Sequence, residues 1–275
     1  MMSKVILITG CSSGIGREMA ERLSKNGYTV VATARNLDDM ENLNVNLNVN
    51  LKLSLDITNN ESISDAVNKV MQHFGKIDVL INNAGYAFRS TVEEISDNNI
   101  EQMFNVNVYG IIRMIRAVVP YMRKKRSGRI INISSIAGKM VLPVSGAYCA
   151  SKFATEALSD ALRLELSAFG ISVVVVEPGN IRTNFMKTVQ NNSDTIISDS
   201  SSPYNELYKN YKTFNDNART NEPGPEVVSL VVQKAIEASR PKKRYMAGVP
   251  AFNRMMTHFG DGVKDYVVKS LFKIK

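Results

Sequence analysis

KVILITGCSSGIG, residues 4–16, is a short apolar run that breaks into three glycines and then into helical spacing. Val5, Ile6, Leu7 and Ile8 have the length and branching of a buried strand. Helical spacing follows over residues 15–24. Between the two, Gly10, Gly14 and Gly16 fall as G-x-x-x-G-x-G. Glycine lets a backbone turn tightly and approach a bound group closely. The helix that follows aims its unpaired N–H groups and positive dipole end at the same space. Strand, glycine loop and helix in that order make a cradle for a pyrophosphate. The spacing is not G-x-G-x-x-G, so the order of elements carries the inference.

The same alternation runs outward along the chain. YTVVATAR (28–35), KIDVLIN (76–82), GRIINIS (128–134), ISVVVVE (171–177) and KRYMAG (243–248) read as further strands. Val45, Leu47, Val49, Leu51, Leu53 and Leu55 alternate with polar residues, the pattern of a half-exposed strand at a sheet edge. Helical spacing covers 62–74, 97–125, 147–168 and 225–239, the last with Pro225 near its start. The 97–125 stretch reads as two helices meeting near Asn107. Apolar strands alternating with helices predict an α/β fold: a Rossmann-type, doubly wound parallel sheet of about seven strands, with helices on both faces. Ligands bind such sheets beyond the carboxyl ends of the strands.

The 275 residues suit a single domain over 1–275. Residues 184–221 interrupt the rhythm with a long polar stretch rich in Ser, Asn and Tyr. It reads as a long loop, and a loop of that length in a compact domain is expected to be a lid over substrate, with a mobile spacer as the alternative. Residues 251–275 read as a helical extension. MMSKVILITG has too short an apolar run for an export signal, and no stretch approaches the roughly 20 apolar residues of a membrane span. Cys11 and Cys149 suggest no disulfide framework, so a cytoplasmic setting is expected. His73 and His258 lack metal-site spacing, and no metal is expected.

AYCASKFA, residues 147–154, places Tyr148 four residues before Lys152, on one helical face. A free phenol, with a pKa of roughly 10, is a poor proton carrier at neutral pH. A cation about 4 Å away would stabilise the phenolate by ~4 kcal/mol, which is about three pKa units. Ser134 and Ser135 end the preceding strand, at the ligand-binding edge. Where a site for NAD commonly puts an acid at the end of the second strand, this chain has Ala34, followed by Arg35. A guanidinium pairs with a 2′-phosphate, so NADP(H) is favoured over NAD(H). Arg17 is a candidate second cation, with an ordinary solvated arginine as the equal alternative. Asp56 either bonds the adenine amino group or caps a helix.

TGCSSGIG (9–16), NNAG (82–85), Asn107 within NVNVYG, Ser135 within ISS, YCASK (148–152) and PGNIRT (178–183) occur in this order over most of the chain. In these motifs the sequence resembles the short-chain dehydrogenase/reductase family, in its compact single-domain branch. The resemblance implies Tyr148 as acid or base, Lys152 lowering its pKa and bonding the nicotinamide ribose, and Ser135 holding the substrate oxygen. It implies Asn107 holding a water that links Lys152 to solvent. Ser135 is preferred to Ser134 for its spacing to the tyrosine; Ser134 would bond backbone instead. The implied cofactor set is Gly10, Ser12, Ser13, Gly14, Ile15 and Gly16, then Arg35, Asp56 and Ile57. Asn83, Ala84 and Gly85 follow, with Tyr148, Lys152, Pro178, Gly179, Ile181 and Thr183. Asn82 would join the floor under adenine and ribose. Cys149 is read as packing.

The nearest branch resembles 17β-hydroxysteroid and retinol dehydrogenases, which implies a bulky lipophilic alcohol or ketone. Met140, Val141, Leu142, Val144, Phe185 and Met186 are candidates for its pocket, with core packing as the even alternative. The rival class is an NADP(H)-sensing binding protein with little catalysis, which such a fold can host. A homodimer or homotetramer is implied by the family. The net charge of +8 raises nucleic acid as a partner, but no motif beyond charge supports it, and none is expected. Arg123, Lys124, Lys125 and Arg126, with Lys242, Lys243 and Arg244, are expected at the amino ends of strands as one basic face. They read first as ordinary surface and helix-end cations, and second as a contact for an anionic membrane surface. Residues 263–275 are amphipathic and basic, which suits peripheral attachment or subunit packing.

Overall fold

Seven short runs form the sheet, and all but the two edge strands are rich in β-branched residues. The seven are β1 Val5–Ile8, β2 Thr29–Ala34, β3 Leu51–Ser54, β4 Val79–Asn82, β5 Gly128–Ile133, β6 Ile171–Pro178 and β7 Arg244–Ala247. Every pairing is parallel, in the order β3-β2-β1-β4-β5-β6-β7. Ile6 stands opposite Val30 on one side and Val79 on the other. The order reverses between β1 and β4, which opens the crevice at their carboxyl ends. The computed structural model describes residues 3–45, 50–218 and 221–274.

Strand period two splits the core into two layers. Ile6 and Ile8 face one side, with Met19, Ala20 and Leu23 of α1 Gly14–Lys25 and Val228, Val232 and Ile236 of α8 Glu226–Glu237. Val5 and Leu7 face the other, with Ile63, Val67 and Val70 of α2 Asn60–Phe74 and Met114, Val118 and Met122 of α4 Gly110–Lys125. Each such fully buried aliphatic side chain contributes about 1.5–3 kcal/mol. Asn59 caps α2 by accepting from Ser62 N at 3.0 Å, and Gly75 ends it in the left-handed conformation. The edge strand β3 begins at Leu51; Leu47 and Val49 of the alternating run lie outside the described residues.

The 97–125 stretch is two helices, α3 Asp97–Phe104 and α4, joined by one widened π-helical turn at Asn105–Tyr109. Asn107 braces that turn, donating from Nδ2 to Tyr86 O at 2.8 Å and accepting from Tyr86 N at 2.8 Å. Residues 147–168 give α5 Gly146–Glu165.

The expected loop over 184–221 is instead two helices, α6 Asn184–Ile197 and α7 Asn205–Ala218. The polar composition hid their inward faces. On α6, Val189 and Ser193 are buried at i, i+4; on α7, Tyr208 and Tyr211 are buried at i, i+3. The phenol of Tyr208 bonds Glu94 and accepts from Thr91 N at 3.1 Å, so a tyrosine can serve as core here. After α9 Ala251–Met256, α10 Asp261–Phe272 docks on α7: Phe272 is fully buried, its ring 4.9 Å from that of Phe214.

The two basic clusters are partly paired. Arg244 pairs with Glu156 at 3.0 Å, Asp160 at 2.6 Å and Glu177 at 3.3 Å. Lys125 pairs with Asp78, and Arg126 donates to Ala168 O at 2.7 Å. Lys124, Lys242 and Lys243 remain exposed. No helix of the described residues is long and apolar enough to cross a membrane.

Candidate active site

The glycine loop is built by exclusion of side-chain volume. Gly10 and Gly14 take φ of +73° and +57°, where L-residues are strained. A Cβ on Gly16 would lie 2.0 Å from Gly10 O, and one on Gly10 would lie 2.9 Å from Ala84 Cα. Thr9 and Asn83 tie the loop to the segment after β4. Thr9 Oγ1 accepts from the amides of Asn83 and Ala84, both at 3.0 Å. Asn83 Nδ2 donates to Thr9 O at 2.9 Å and Gly10 O at 3.0 Å. Asn82 turns the other way, to Asn132 Oδ1 at 2.8 Å, so it belongs to the sheet interior.

Ser12, Ser13 and Ile15 lie at the start of α1, whose first turn carries no acid to compete with an anion. Ala34 is buried at the end of β2, and Arg35 beyond it is exposed. Arg17 pairs with Glu21 at 3.1 Å and donates to Asn42 O. Asp56 Oδ1 accepts from Thr58 N at 2.8 Å and Thr58 Oγ1 at 2.7 Å, a local turn. Ile57 buries its side chain against Gly110, leaving only its backbone for a ligand. Gly85 is exposed beside the loop. Pro178 ends β6, and Gly179 donates to Ala247 O at 2.9 Å. Ile181 is buried against Gly248, and Thr183 caps α6 while touching the space a Gly14 Cβ would take.

Ser135, Tyr148 and Lys152 converge beyond the carboxyl end of β5. Tyr148 is buried and hydrogen-bonded with Ser135. Ser135 Oγ also accepts from Ala137 N at 3.1 Å. Ser134 Oγ is buried with no partner among the described residues, rather than bonded to backbone. Lys152 Nζ donates to Ile133 O at 3.0 Å and lies 5.8 Å from the Tyr148 ring centre. Asn107 Nδ2 donates to Ser151 Oγ at 3.0 Å, and Ser151 donates to Tyr148 O at 2.7 Å. That chain of bonds makes Asn107 a brace for the turn that presents Tyr148.

Two cations, Lys152 and Arg89, lie beside the Tyr148 ring. Burial pushes the Tyr148 phenol above its usual value; the Arg89 guanidinium and the Ser135 bond pull it back. Burial also pushes Lys152 down to about 8, with Glu156 opposing. Arg89, whose Cζ lies 4.7 Å from the Tyr148 ring centre, is thus a cation beside the phenol in addition to Lys152. Sequence reasoning missed Arg89. Its one signal was a lone charge closing the apolar run Tyr86-Ala87-Phe88, four residues past Gly85.

Behind Lys152, Glu156 and Glu177 are buried together, with Lys139 at 3.5 Å and Arg244 at 3.0 Å from Glu156. Burial and the neighbouring Glu156 push Glu177 up to about 7. Of the pocket candidates, Phe185 packs in the cluster of Tyr148, and Met186 lines a cavity with Arg89. Leu142 and Val144 pack with Tyr208 instead, and Val141 is exposed; Met140 is half-buried. Val144 sits at φ +64°, a strained conformation for a β-branched residue. Cys11 and Cys149 are both free and buried, with the Cys11 thiol pushed up to about 12 by burial. No cluster of metal-binding side chains occurs among the described residues.

Comparisons with known proteins find relatives in sequence and in fold. The family model described as short chain dehydrogenase matches residues 4–194. The chain is 33% identical to 3-ketodihydrosphingosine reductase of Bacteroides thetaiotaomicron over 278 residues, covering 100% of each. It is 34% identical to estradiol 17-beta-dehydrogenase 1 of Rattus norvegicus over 257 residues, 90% of this chain and 74% of the relative. A closed form of serine dehydrogenase complexed with NADP+ superposes with a TM-score of 0.75 at 26% identity, covering 88% of this chain and 93% of that one.

Proposed function

Because the chain belongs to the short-chain dehydrogenase family, we propose that it is an NADP(H)-dependent oxidoreductase interconverting a carbonyl and a secondary or primary alcohol. The observation that carries this reading is the convergence of Ser135, Tyr148 and Lys152 beside the glycine loop. The residues present fit the dinucleotide. An acid-free helix start faces the crevice, two glycines hold positive φ, and Arg35 stands exposed where a carboxylate would repel a 2′-phosphate. When bound, NADP(H) supplies or accepts the hydride.

The chain's own residues hold and move the proton. Tyr148 gives it to the carbonyl oxygen, or takes it from the alcohol. Ser135 holds that oxygen and the phenol together. Lys152, fixed by Ile133 O, would hold the nicotinamide ribose. α6 and α7 serve as a lid: their buried faces cover the loop after β4. The substrate is lipophilic (a steroid, retinoid or acyl-lipid ketone), which the names of the two relatives support. The assembly is a homodimer or homotetramer, for which exposed Phe153 and Leu164 on α5 offer an apolar face. A cytoplasmic enzyme touching membrane through α9 and α10 completes the proposal.

The test is NADPH- and NADH-linked turnover of long-chain, steroid and retinoid carbonyls beside small polar ones. Activity confined to the polar set would remove the lipophilic substrate, and a preference for NADH would remove NADP(H).

A further inference from the structure

Arg89 is nine-tenths buried, and the assignments above give it no ligand. It leaves the loop after β4, at the ligand-binding edge of the sheet. Both lid helices hold it. Its backbone N donates to Ser193 Oγ of α6 at 2.8 Å, and its Nε donates to Tyr211 Oη of α7 at 3.1 Å. The guanidinium lies over the ring of Tyr148. Its side-chain hydrogen bond thus goes to a phenol, not to a carboxylate, and Nη1 is buried with no partner among the described residues.

A buried cation without an anion is unfavourable. The face of an aromatic ring and one neutral phenol offset only part of that penalty. The missing counter-charge is a ligand's. Arg89 lines a cavity with apolar Met186, Val189 and Ile197 and with polar Gln190, Ser198 and Asn215. Asp194, Lys212 and Asp216 also line it; they are exposed, whereas Arg89 is buried. A ligand that matches brings an anionic group to the guanidinium beside Tyr148.

We propose that Arg89 is the anion-binding residue of the substrate site, and that the substrate is a lipophilic ketone or alcohol bearing a carboxylate or phosphate monoester near its reacting carbon. This rests on the oxidoreductase reading above and adds a binding contact, not a chemical step. A group with a cationic neighbour to the carbonyl is repelled from the same place.

The test compares kcat/KM, with NADPH and the full chain, for ketones that share one long alkyl tail. One carries a carboxylate, one is its methyl ester, one a phosphate monoester, one the corresponding alcohol, and one a 2-ammonium group. The expected result is a preference of about tenfold or more for an anion over its neutral partner, with the ammonium compound poorest. The two anionic arms separate carboxylate from phosphate. Arg89→Met brings the anion-to-neutral ratio near one; Arg89→Lys keeps part of it. The ratio is internal to each variant, so a general loss of rate does not mimic it.

Equal rates for anion and ester in the unaltered chain overturn the proposal, as does a preference for the ammonium compound or an Arg89→Met ratio that stays high. A rise in the KM for NADPH with no change in the ratio also overturns it, because the guanidinium then serves the cofactor. If Arg89→Met does not fold, thermal shifts of the unaltered chain with NADP+ decide. A long-chain carboxylate should raise the melting temperature and its methyl ester should not; equal shifts overturn the site. If no ketone is reduced, yet the carboxylate stabilises the unaltered chain and not Arg89→Met, the oxidoreductase reading fails and the anion site stands.

Discussion

Lys152 sends its ammonium to the carbonyl oxygen of Ile133, 3.0 Å away, while the Tyr148 phenol is bonded with Ser135. Lysine and tyrosine thus share one face of α5 and one space, but each has its own anchor. The phenol is then the group free to exchange a proton with a ligand. Tyr148→Phe is expected to lower kcat by about 10²–10⁴-fold, the usual contribution of a positioned acid or base. NADPH affinity, read by fluorescence titration, should change little. A variant with unimpaired turnover would favour the rival reading of a dinucleotide sensor.

The same burial makes Lys152 a stability liability. Its folded value of about 8 lies below the ordinary 10.5. Between those values the unfolded chain binds more protons, so stability rises with pH across that window and the penalty is complete below about 8. Lys152→Met in the cofactor-free protein should gain up to about 3 kcal/mol at pH 7.5. The gain should shrink toward pH 10. Urea unfolding of both proteins at pH 7.5 and 9.5 reads the difference; a gain independent of pH would refute the protonation account.

Most of the fold was legible because strand period and glycine position are local properties. Ile6 and Ile8 against Val5 and Leu7, or the +73° of Gly10, follow from a few neighbouring residues. The junction of two helices near Asn107 was legible too. What failed was non-local. α6 and α7 looked like loop because their buried positions are Tyr208, Tyr211 and Ser193, polar until their partners across the chain are known. Arg244 looked like surface charge, since Glu156, Asp160 and Glu177 reach it only in the folded chain. Arg89 was invisible as a site residue for the same reason: α6 and α7 bury it.

Arg35 is the exposed cation at the end of β2, with Ala34 in the place of an acid. A charge-assisted bond to a 2′-phosphate is worth roughly 1.5–3 kcal/mol, or about 10–100-fold. Arg35→Asp should therefore raise the KM for NADPH by about that factor and leave the KM for NADH unchanged or lower. Steady-state rates with the two cofactors check it. An equal loss with both would assign Arg35 to adenine stacking alone.

Glu177 keeps its proton to about 7 because it is buried near Glu156. A raised carboxyl holds more protons when folded, so stability falls as pH rises from the ordinary 4.5 through that value. Glu177→Gln should melt at the same temperature as the unaltered chain near pH 4.5 and higher at pH 8. Arg244 retains Glu156 and Asp160 as partners in that variant. A lower melting temperature at pH 8 would show instead that the charged pair with Arg244 dominates.

α9 and α10 carry an unusual share of exposed apolar side chains: Phe252, Met255, Val263, Leu271 and Tyr266, the last 76% exposed. Arg254, Lys264, Lys269 and Lys273 are interspersed with them. Apolar side chains that enter a headgroup layer, flanked by cations, bind anionic bilayers best. The docking of Phe272 on α7 holds α10 to the body and leaves Tyr266 outward. The full chain should float with vesicles containing anionic lipid, and less with neutral vesicles or at high salt. Tyr266→Ser with Phe252→Ser should reduce flotation without shifting the melting temperature. Flotation that does not depend on the lipid, or on these side chains, would leave the apolar faces to subunit packing, which a shift in sedimentation would then reveal.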